Sequence, residues 1–177
     1  LLLLDKGHTQ QAKKELAKAK KAALKYERFD ELIKLMQMET RLLREETDLD
    51  TLDKHLTRHR EQLAKSLHIL DKELQYEQEY LNMVKWNKEI EFARTEKELN
   101  ALTTIMAKPI FKVEPKTISI KSRIYYHYIK GLYYFFEGSF TSSLPHFEQQ
   151  LELFNKHPHW AAEQPMMYIR CIGNYQH

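Results

Sequence analysis

The feature that most constrains the fold is a long stretch without helix breakers. From His8 to Lys108 the chain contains neither glycine nor proline, and Leu, Lys, Glu, Gln and Ala are its main residues. These five residue types are strong helix formers. An all-β or doubly wound fold needs turns at short intervals, which Gly and Pro supply. The stretch therefore predicts helices, and the whole chain is predicted to be all-α.

The composition fits a packed core with solvated helix faces. Of the 177 residues, 42% are hydrophobic and 30% are charged, and the net charge is +3. Acidic and basic residues alternate along most of the chain, as on exposed helix faces with i, i+4 pairs. The one biased patch comprises Lys13, Lys14, Lys18, Lys20, Lys21 and Lys25. An exposed helix face explains this patch better than a nucleic-acid site, so no nucleic-acid partner is expected.

The single cysteine and the two chain ends set further limits. Cys171 cannot form an intramolecular disulfide or a cysteine-based metal site, and its apolar setting predicts a small buried hydrophobe.

The run from Leu1 to Leu4 is too short for a signal peptide or a membrane span, and we expect a soluble, cytoplasmic protein. Both ends lie within apolar periodic segments. We therefore interpret residues 1–177 as one helical-repeat domain, a fragment of a longer array.

The apolar spacing predicts the helix boundaries in the first half of the chain. A break is expected between Tyr26 and Asp30, with Asp30 as an N-cap. The segment Glu46-Thr47-Asp48 gives a firmer boundary, because Thr and Asp are N-cap residues and the apolar pattern restarts at Leu49. Residues 1–47 are accordingly predicted to form a partial repeat or a long helix.

Leucines after this boundary alternate at intervals of three and four residues. They are Leu49, Leu52, Leu56, Leu63, Leu67, Leu70, Leu74 and Leu81. This spacing is typical of a coiled coil, although His59, Ser66 and Glu77 interrupt a strict heptad. After residue 87 the register shifts to a new stripe that includes Phe92 and Thr95. Two long antiparallel helices are therefore predicted over 48–84 and 88–107.

Proline and glycine return in the last third and mark shorter elements. The predicted elements are an extended linker over 110–114, a helix from Thr117 or Ser119 to Glu137, a turn at 138–139, a helix over 140–155 and a last helix from about Pro165. These elements describe a helical hairpin followed by the start of another helix.

Small and aromatic residues recur at fixed offsets within 124–157. The small residues are Gly131, Gly138 and Ser143, and the aromatic ones are Tyr134 and Phe147. The spacing resembles a tetratricopeptide repeat, a helix–turn–helix unit of about 34 residues in which small side chains let two helices cross closely. The residues that depart from the family pattern are His127, Lys130 and Gln150.

The resemblance implies an α-α superhelix of stacked hairpins, since such units bury their apolar faces only by stacking. Residues 1–25 echo the second half of a preceding repeat, and Ile169, Ile172 and Gly173 echo the first helix of a following one. The expected segments are a partial repeat over 1–47, unusually long antiparallel helices over 48–108, the hairpin over 117–157 and the next helix over 163–177.

The resemblance also implies a binding face. In peptide-clamping members of the family, a basic residue and an asparagine one turn apart grip a terminal carboxylate. Arg170 and Asn174 match those two positions, although a surface arginine and a helix-packing asparagine are the plainer interpretation. The residues that the same register directs towards the concave face are Tyr125, Tyr128, Leu132 and Phe135. Core packing is the plainer interpretation of this aromatic crowding.

No pattern in the chain is typical of catalysis. His55 and His59 have a spacing that can chelate a metal, but no carboxylate motif accompanies them and arginines flank His59. There is no Gly-rich phosphate loop and no recognisable nucleophile motif. We therefore expect no enzyme, no cofactor and no metal.

The leading hypothesis is a non-catalytic helical scaffold that binds another protein or a peptide. One alternative is a structural module whose 48–107 helices form a coiled-coil arm or a homodimer interface. Another is a sensor segment of a larger regulatory protein.

Overall fold

Most of the chain that the structure describes is helical. The computed structural model describes residues 9–46, 48–89, 93, 95–116 and 118–176. The α-helices are α1 (Thr9–Lys25), α2 (Phe29–Glu46), α3 (Leu49–Glu89), α4 (Glu96–Met106), α5 (Ile120–Phe136), α6 (Phe140–Lys156), α7 (Pro158–Glu163) and α8 (Pro165–Gln176). A 3-10 helix spans Pro109–Phe111, and no strand occurs in the described ranges. The all-α prediction is confirmed.

These helices divide into two compact units. The first unit is Leu1–Asp71 and the second is Lys72–His177, so the division falls inside α3. The sequence was interpreted as a single domain because nothing in it marks this point. A helix that continues from one core into another lacks the flexible, polar composition by which a linker is normally recognised.

In the first unit, α1 and α2 form a hairpin. Glu27 has a φ of 53°, a left-handed conformation that ends α1. The Arg28 backbone N–H donates to the Ala23 carbonyl at 2.8 Å and closes the turn. The break predicted between 26 and 30 is confirmed. Asp30 is not its N-cap, however, because α2 already begins at Phe29.

The core of this unit joins the hairpin to the first part of α3. Its buried residues are Ala23, Phe29, Leu32 and Met36, with Leu35, Leu63, Ile69 and Leu70 partly buried against them. The Asp48 carboxylate accepts a hydrogen bond from the Thr51 backbone N–H at 2.9 Å, as an N-cap does. The boundary predicted over residues 46–48 is therefore confirmed, with Asp48 as the cap. Thr47, the other expected cap, lies outside the described residues.

The helix predicted over 88–107 is shorter than expected. Its described part, α4, begins at Glu96, and α3 ends at Glu89. Thr95 and Glu98 form a capping box, in which each side chain accepts a hydrogen bond from the other's backbone N–H. Thr95 was expected in an apolar stripe, but its hydroxyl caps the start of a helix. Phe92, the other member named for that stripe, lies outside the described residues.

The linker predicted to be extended is instead folded into the core. Pro109–Phe111 forms a 3-10 turn, and Phe111 is buried against the rings of Tyr76 and Tyr126. The Tyr76 hydroxyl donates to the Ile110 carbonyl at 2.5 Å. Of the two expected caps for the next helix, Ser119 serves, since its hydroxyl accepts from a backbone N–H three residues on. Thr117 lies outside the described residues.

Helices α5 and α6 form the hairpin expected from the sequence. The turn between them contains Gly138, whose φ of +80° suits glycine. At the crossing, a Cβ on Gly131 would lie 2.6 Å from the ring of Phe147. The Ser143 hydroxyl donates to the Gly131 carbonyl at 2.8 Å, and the buried Gln150 amide donates to Ile124 O at 3.3 Å. The two helices therefore approach closely where their small residues meet.

A short helix, α7, was missed by sequence reasoning. It begins at Pro158, directly after His157, and buries Trp160. Six residues are too few for an apolar period to show.

Helix α8 begins at Pro165 as expected, and Cys171 is buried in it, where burial raises the pKa of its thiol to about 12. None of the helices in the described ranges is long and apolar enough to cross a membrane.

We predict that Gly131→Ala destabilises the protein. The added methyl group would overlap the buried Phe147 ring, so the ring would have to shift. Overpacking of this kind costs about 1 to 3 kcal/mol. Urea denaturation should show a lower free energy of unfolding.

Gly173→Ala is the matched control, since a Cβ there meets no atom within 4 Å. This exchange should be neutral or should raise stability by up to about 1 kcal/mol, because alanine favours the helix. Equal destabilisation by both substitutions would contradict the close crossing at Gly131.

Candidate functional site

The predicted concave face of α5 is largely covered by α3. The ring of Tyr80, from α3, stacks on Tyr125 at 5.2 Å between centroids and meets Tyr128 edge-on at 5.1 Å. Both residues of α5 are buried, and burial is the main reason why the pKa values of their phenols are raised. This part of the face is thus occupied by a helix of the same chain.

Arg170 also contacts α3. Its guanidinium donates a hydrogen bond from Nη1 to the Tyr80 hydroxyl at 2.9 Å. The arginine predicted to grip a ligand carboxylate is therefore bonded to a phenol within the protein. Arg170 and Asn174 lie one turn apart on α8, as the sequence indicated. Their side chains contact different groups: Arg170 bonds to Tyr80, and Asn174 lines a cavity.

Three of the residues predicted to bind a ligand line one small cavity. These are Leu132, Phe135 and Asn174, and the remaining lining comes from Asn87 of α3 and Phe147 of α6. The cavity has a volume of about 120 Å³. A cavity of about 150 Å³ accommodates benzene, so this one suits a single aliphatic side chain. We call these five residues the α5–α8 pocket.

The pocket is apolar apart from two amides. The Asn174 side-chain nitrogen, Nδ2, is buried and donates no hydrogen bond within the described structure. A buried amide left without a partner is unfavourable by about 1 to 3 kcal/mol. An incoming hydrogen-bond acceptor would remove this cost. The arrangement can therefore bind an apolar group that carries an oxygen beside it.

Sequence reasoning missed two residues of the pocket. Phe147 was assigned only to helix packing, whereas its ring also forms one wall. Asn87 was passed over because it lies where the apolar register shifts. A signal for it existed, since Tyr80, Met83 and Asn87 follow at intervals of three and four residues on one face of α3.

A second polar cluster lies between α5 and α6. The Nδ1 atoms of His127 and His146 are 3.1 Å apart, a hydrogen bond in which one ring donates and the other accepts. The Tyr134 ring stacks on His146 with an angle of 12° between the planes. Burial, and then the neighbouring His146, lower the pKa of His127 to about 4. Both imidazoles are accordingly neutral at pH 7.

We predict that this pair makes stability depend on pH. The unfolded chain protonates His127 near its ordinary pKa of 6.5, whereas the folded chain resists protonation down to about 4. The free energy of unfolding should therefore fall as pH decreases from 6.5 to 4, by about 1 to 3 kcal/mol. Urea denaturation at pH 7, 5.5 and 4.5 measures this.

His127→Phe should flatten the pH dependence, because the group that takes up the proton is gone. His68→Gln, at an exposed position on α3, should leave it unchanged. A slope that is the same in the wild type and in His127→Phe would contradict the assignment.

The side chains of His55 and His59 lie beside polar groups of α2. The His59 Nδ1 lies 2.6 Å from the Thr40 hydroxyl, and His55 Nε2 lies 3.6 Å from the Glu39 carboxylate. That carboxylate also binds the Lys20 ammonium. Across the residues that the structure describes, no group of three or more His, Cys, Asp or Glu could hold a metal ion.

The chain was compared with known proteins at three levels. No known protein family matches it. No curated protein and no solved structure matches it significantly either. The fold and the α5–α8 pocket are therefore the basis for inferring a function.

Proposed function

We propose that the protein is a tetratricopeptide-like scaffold that binds a segment of another protein in the α5–α8 pocket. The hairpin of α5 and α6 supports the repeat assignment. Its small residues, Gly131 and Ser143, meet at the helix crossing, and Phe147 fills the space beside Gly131. This is the arrangement that the spacing of the family implies.

The unpartnered Asn174 amide is the observation that carries the binding proposal. It lies in a pocket whose other walls include Leu132, Phe135 and Phe147. A peptide offers the complementary chemistry, since an apolar side chain is followed by a backbone carbonyl on the same residue. The side chain fills the cavity, and Asn174 donates to the carbonyl.

The surface beside the pocket can extend the contact. Phe140 is exposed and lies edge-on to Phe135, with 5.6 Å between ring centroids. Exposed aromatic rings next to a cavity are common in protein-binding surfaces. A partner anchored in the pocket would therefore also cover Phe140.

We propose a non-catalytic role for this pocket. Its polar groups are the amides of Asn87 and Asn174, which neither accept nor release protons near neutral pH. We also propose a cytoplasmic location, consistent with a single cysteine that is buried as a thiol.

Selection from a displayed random-peptide library tests the proposal. Peptides that bind should share one aliphatic residue, and their affinity can be measured by fluorescence anisotropy. Asn174→Ala should weaken binding about 5- to 30-fold, because a buried carbonyl of the ligand loses its donor.

Asn155→Ala is the control, since Asn155 is exposed on α6. This variant should bind the selected peptides as the wild type does. Peptides that bind the wild type and Asn174→Ala equally well would show that the pocket is not the binding site. A library that yields no binders would count against peptide recognition as a whole.

A further inference from the structure

An open groove in the first unit has an apolar part. It is formed by Leu24 of α1, Phe29 and Leu32 of α2, and Ile69 of α3. Phe29 and Leu32 are buried, whereas Leu24 is 47% exposed. The groove has a volume of about 420 Å³. Sites for small molecules usually have volumes of about 300 to 1,000 Å³, so an apolar group of moderate size can lie here.

The rest of the groove is polar and comes from α3 alone. Its residues are Arg58, Glu61, Gln62, Lys65 and Ser66. The Ser66 hydroxyl donates to the Gln62 carbonyl at 3.0 Å, so this donor is satisfied within the helix. The charged side chains and the Gln62 amide are therefore the groups that can select a ligand. We call these five residues and the four apolar ones the hairpin groove.

The charges of the hairpin groove favour an anion. Arg58 and Lys65 supply two cations and Glu61 supplies one carboxylate, which leaves one net positive charge. Glu61 lies three residues after Arg58 and four before Lys65, a spacing at which ion pairs form on helices. Neither cation makes an ion pair with a residue that the structure describes, however. A single anionic group on a ligand would therefore complement the groove.

A carboxylate placed beside Gln62 can meet both cations. Gln62 lies four residues after Arg58 and three before Lys65, so each cation is about one helical turn, about 5.4 Å, from it along the axis. An arginine guanidinium can bind a carboxylate through two parallel hydrogen bonds, and a glutamine amide can add a third. An uncharged ligand would displace water from the cations without replacing its hydrogen bonds, which is unfavourable.

The apolar part of the groove suits a hydrocarbon chain. Its four side chains offer no donor or acceptor, so a peptide backbone lying over them would lose its hydrogen bonds to water. An alkyl chain has no such groups to satisfy. We propose that the hairpin groove binds a small aliphatic carboxylic acid, with the alkyl chain over Phe29 and Leu32 and the carboxylate at Gln62. This site shares no residue with the α5–α8 pocket.

Isothermal titration calorimetry of the full chain with octanoate, well below its micelle-forming concentration, tests the proposal. The dissociation constant should be about 1 mM or lower. Octanol has the same alkyl chain without the charge and should bind at least about fivefold more weakly, as should octylammonium, whose charge is reversed. N-acetyl-leucine, which carries the carboxylate of a peptide terminus, should also bind more weakly than octanoate, because its amide has no partner in the apolar part.

Substitutions at the groove locate the site. Arg58→Gln should weaken octanoate binding about three- to tenfold, and Glu61→Gln should strengthen it, because a competing carboxylate is removed. Leu24→Ser should weaken the binding of octanoate and octanol alike, since both lose apolar contact. Arg60→Gln is the control, because Arg60 is exposed on α3 and does not line the groove. Circular dichroism shows whether each variant is folded.

Three results would overturn the proposal. They are the absence of measurable octanoate binding, equal affinities for octanoate and octanol, and an equal loss of affinity in Arg58→Gln and Arg60→Gln. Tighter binding of N-acetyl-leucine than of octanoate would show that the groove recognises a peptide terminus, and it would overturn the assignment of an aliphatic acid.

Discussion

The close contact between Gly131 and the ring of Phe147 is the constraint on which the second unit depends. Without a side chain at 131, α5 and α6 can approach until Ser143 bonds to the Gly131 carbonyl. This approach fixes the rotation of α5 about its axis, and so it fixes which residues face α3 and α8. The same Phe147 ring forms a wall of the α5–α8 pocket, so helix packing and the candidate site share one side chain.

The aromatic face of α5 was expected to form a binding surface, and part of it is buried in the core. A concave face with four apolar residues was predicted, and α3 covers the half that contains Tyr125 and Tyr128. The other half, at Leu132 and Phe135, lines the pocket with Asn174. Along a single helix, one part of the predicted face is therefore packed in the core and another part lines a cavity. The repeat-like hairpin is needed for the site, but α3 determines its extent.

Local features were the most predictable from the sequence. The hairpin turn at Gly138 and the cap at Asp48 depend on neighbouring residues, which a single sequence displays directly. Of the residues predicted for the binding face, Leu132, Phe135 and Asn174 line the pocket. Its remaining members could not be assigned, because they depend on contacts between residues far apart in the chain. Helix periodicity reports which residues share a face, and it does not report which helix will cover that face.

The hydrogen bond between Arg170 and Tyr80 has a kinetic consequence. It joins residues 90 positions apart, whereas the bond from Ser143 to Gly131 spans 12. Closing a longer loop costs more chain entropy, so contacts of long range form later in folding. We expect the α5–α6 hairpin to form early and the layer of α3 and α8 to join it afterwards. The pocket takes residues from both, and it therefore exists only once the last step of folding is complete.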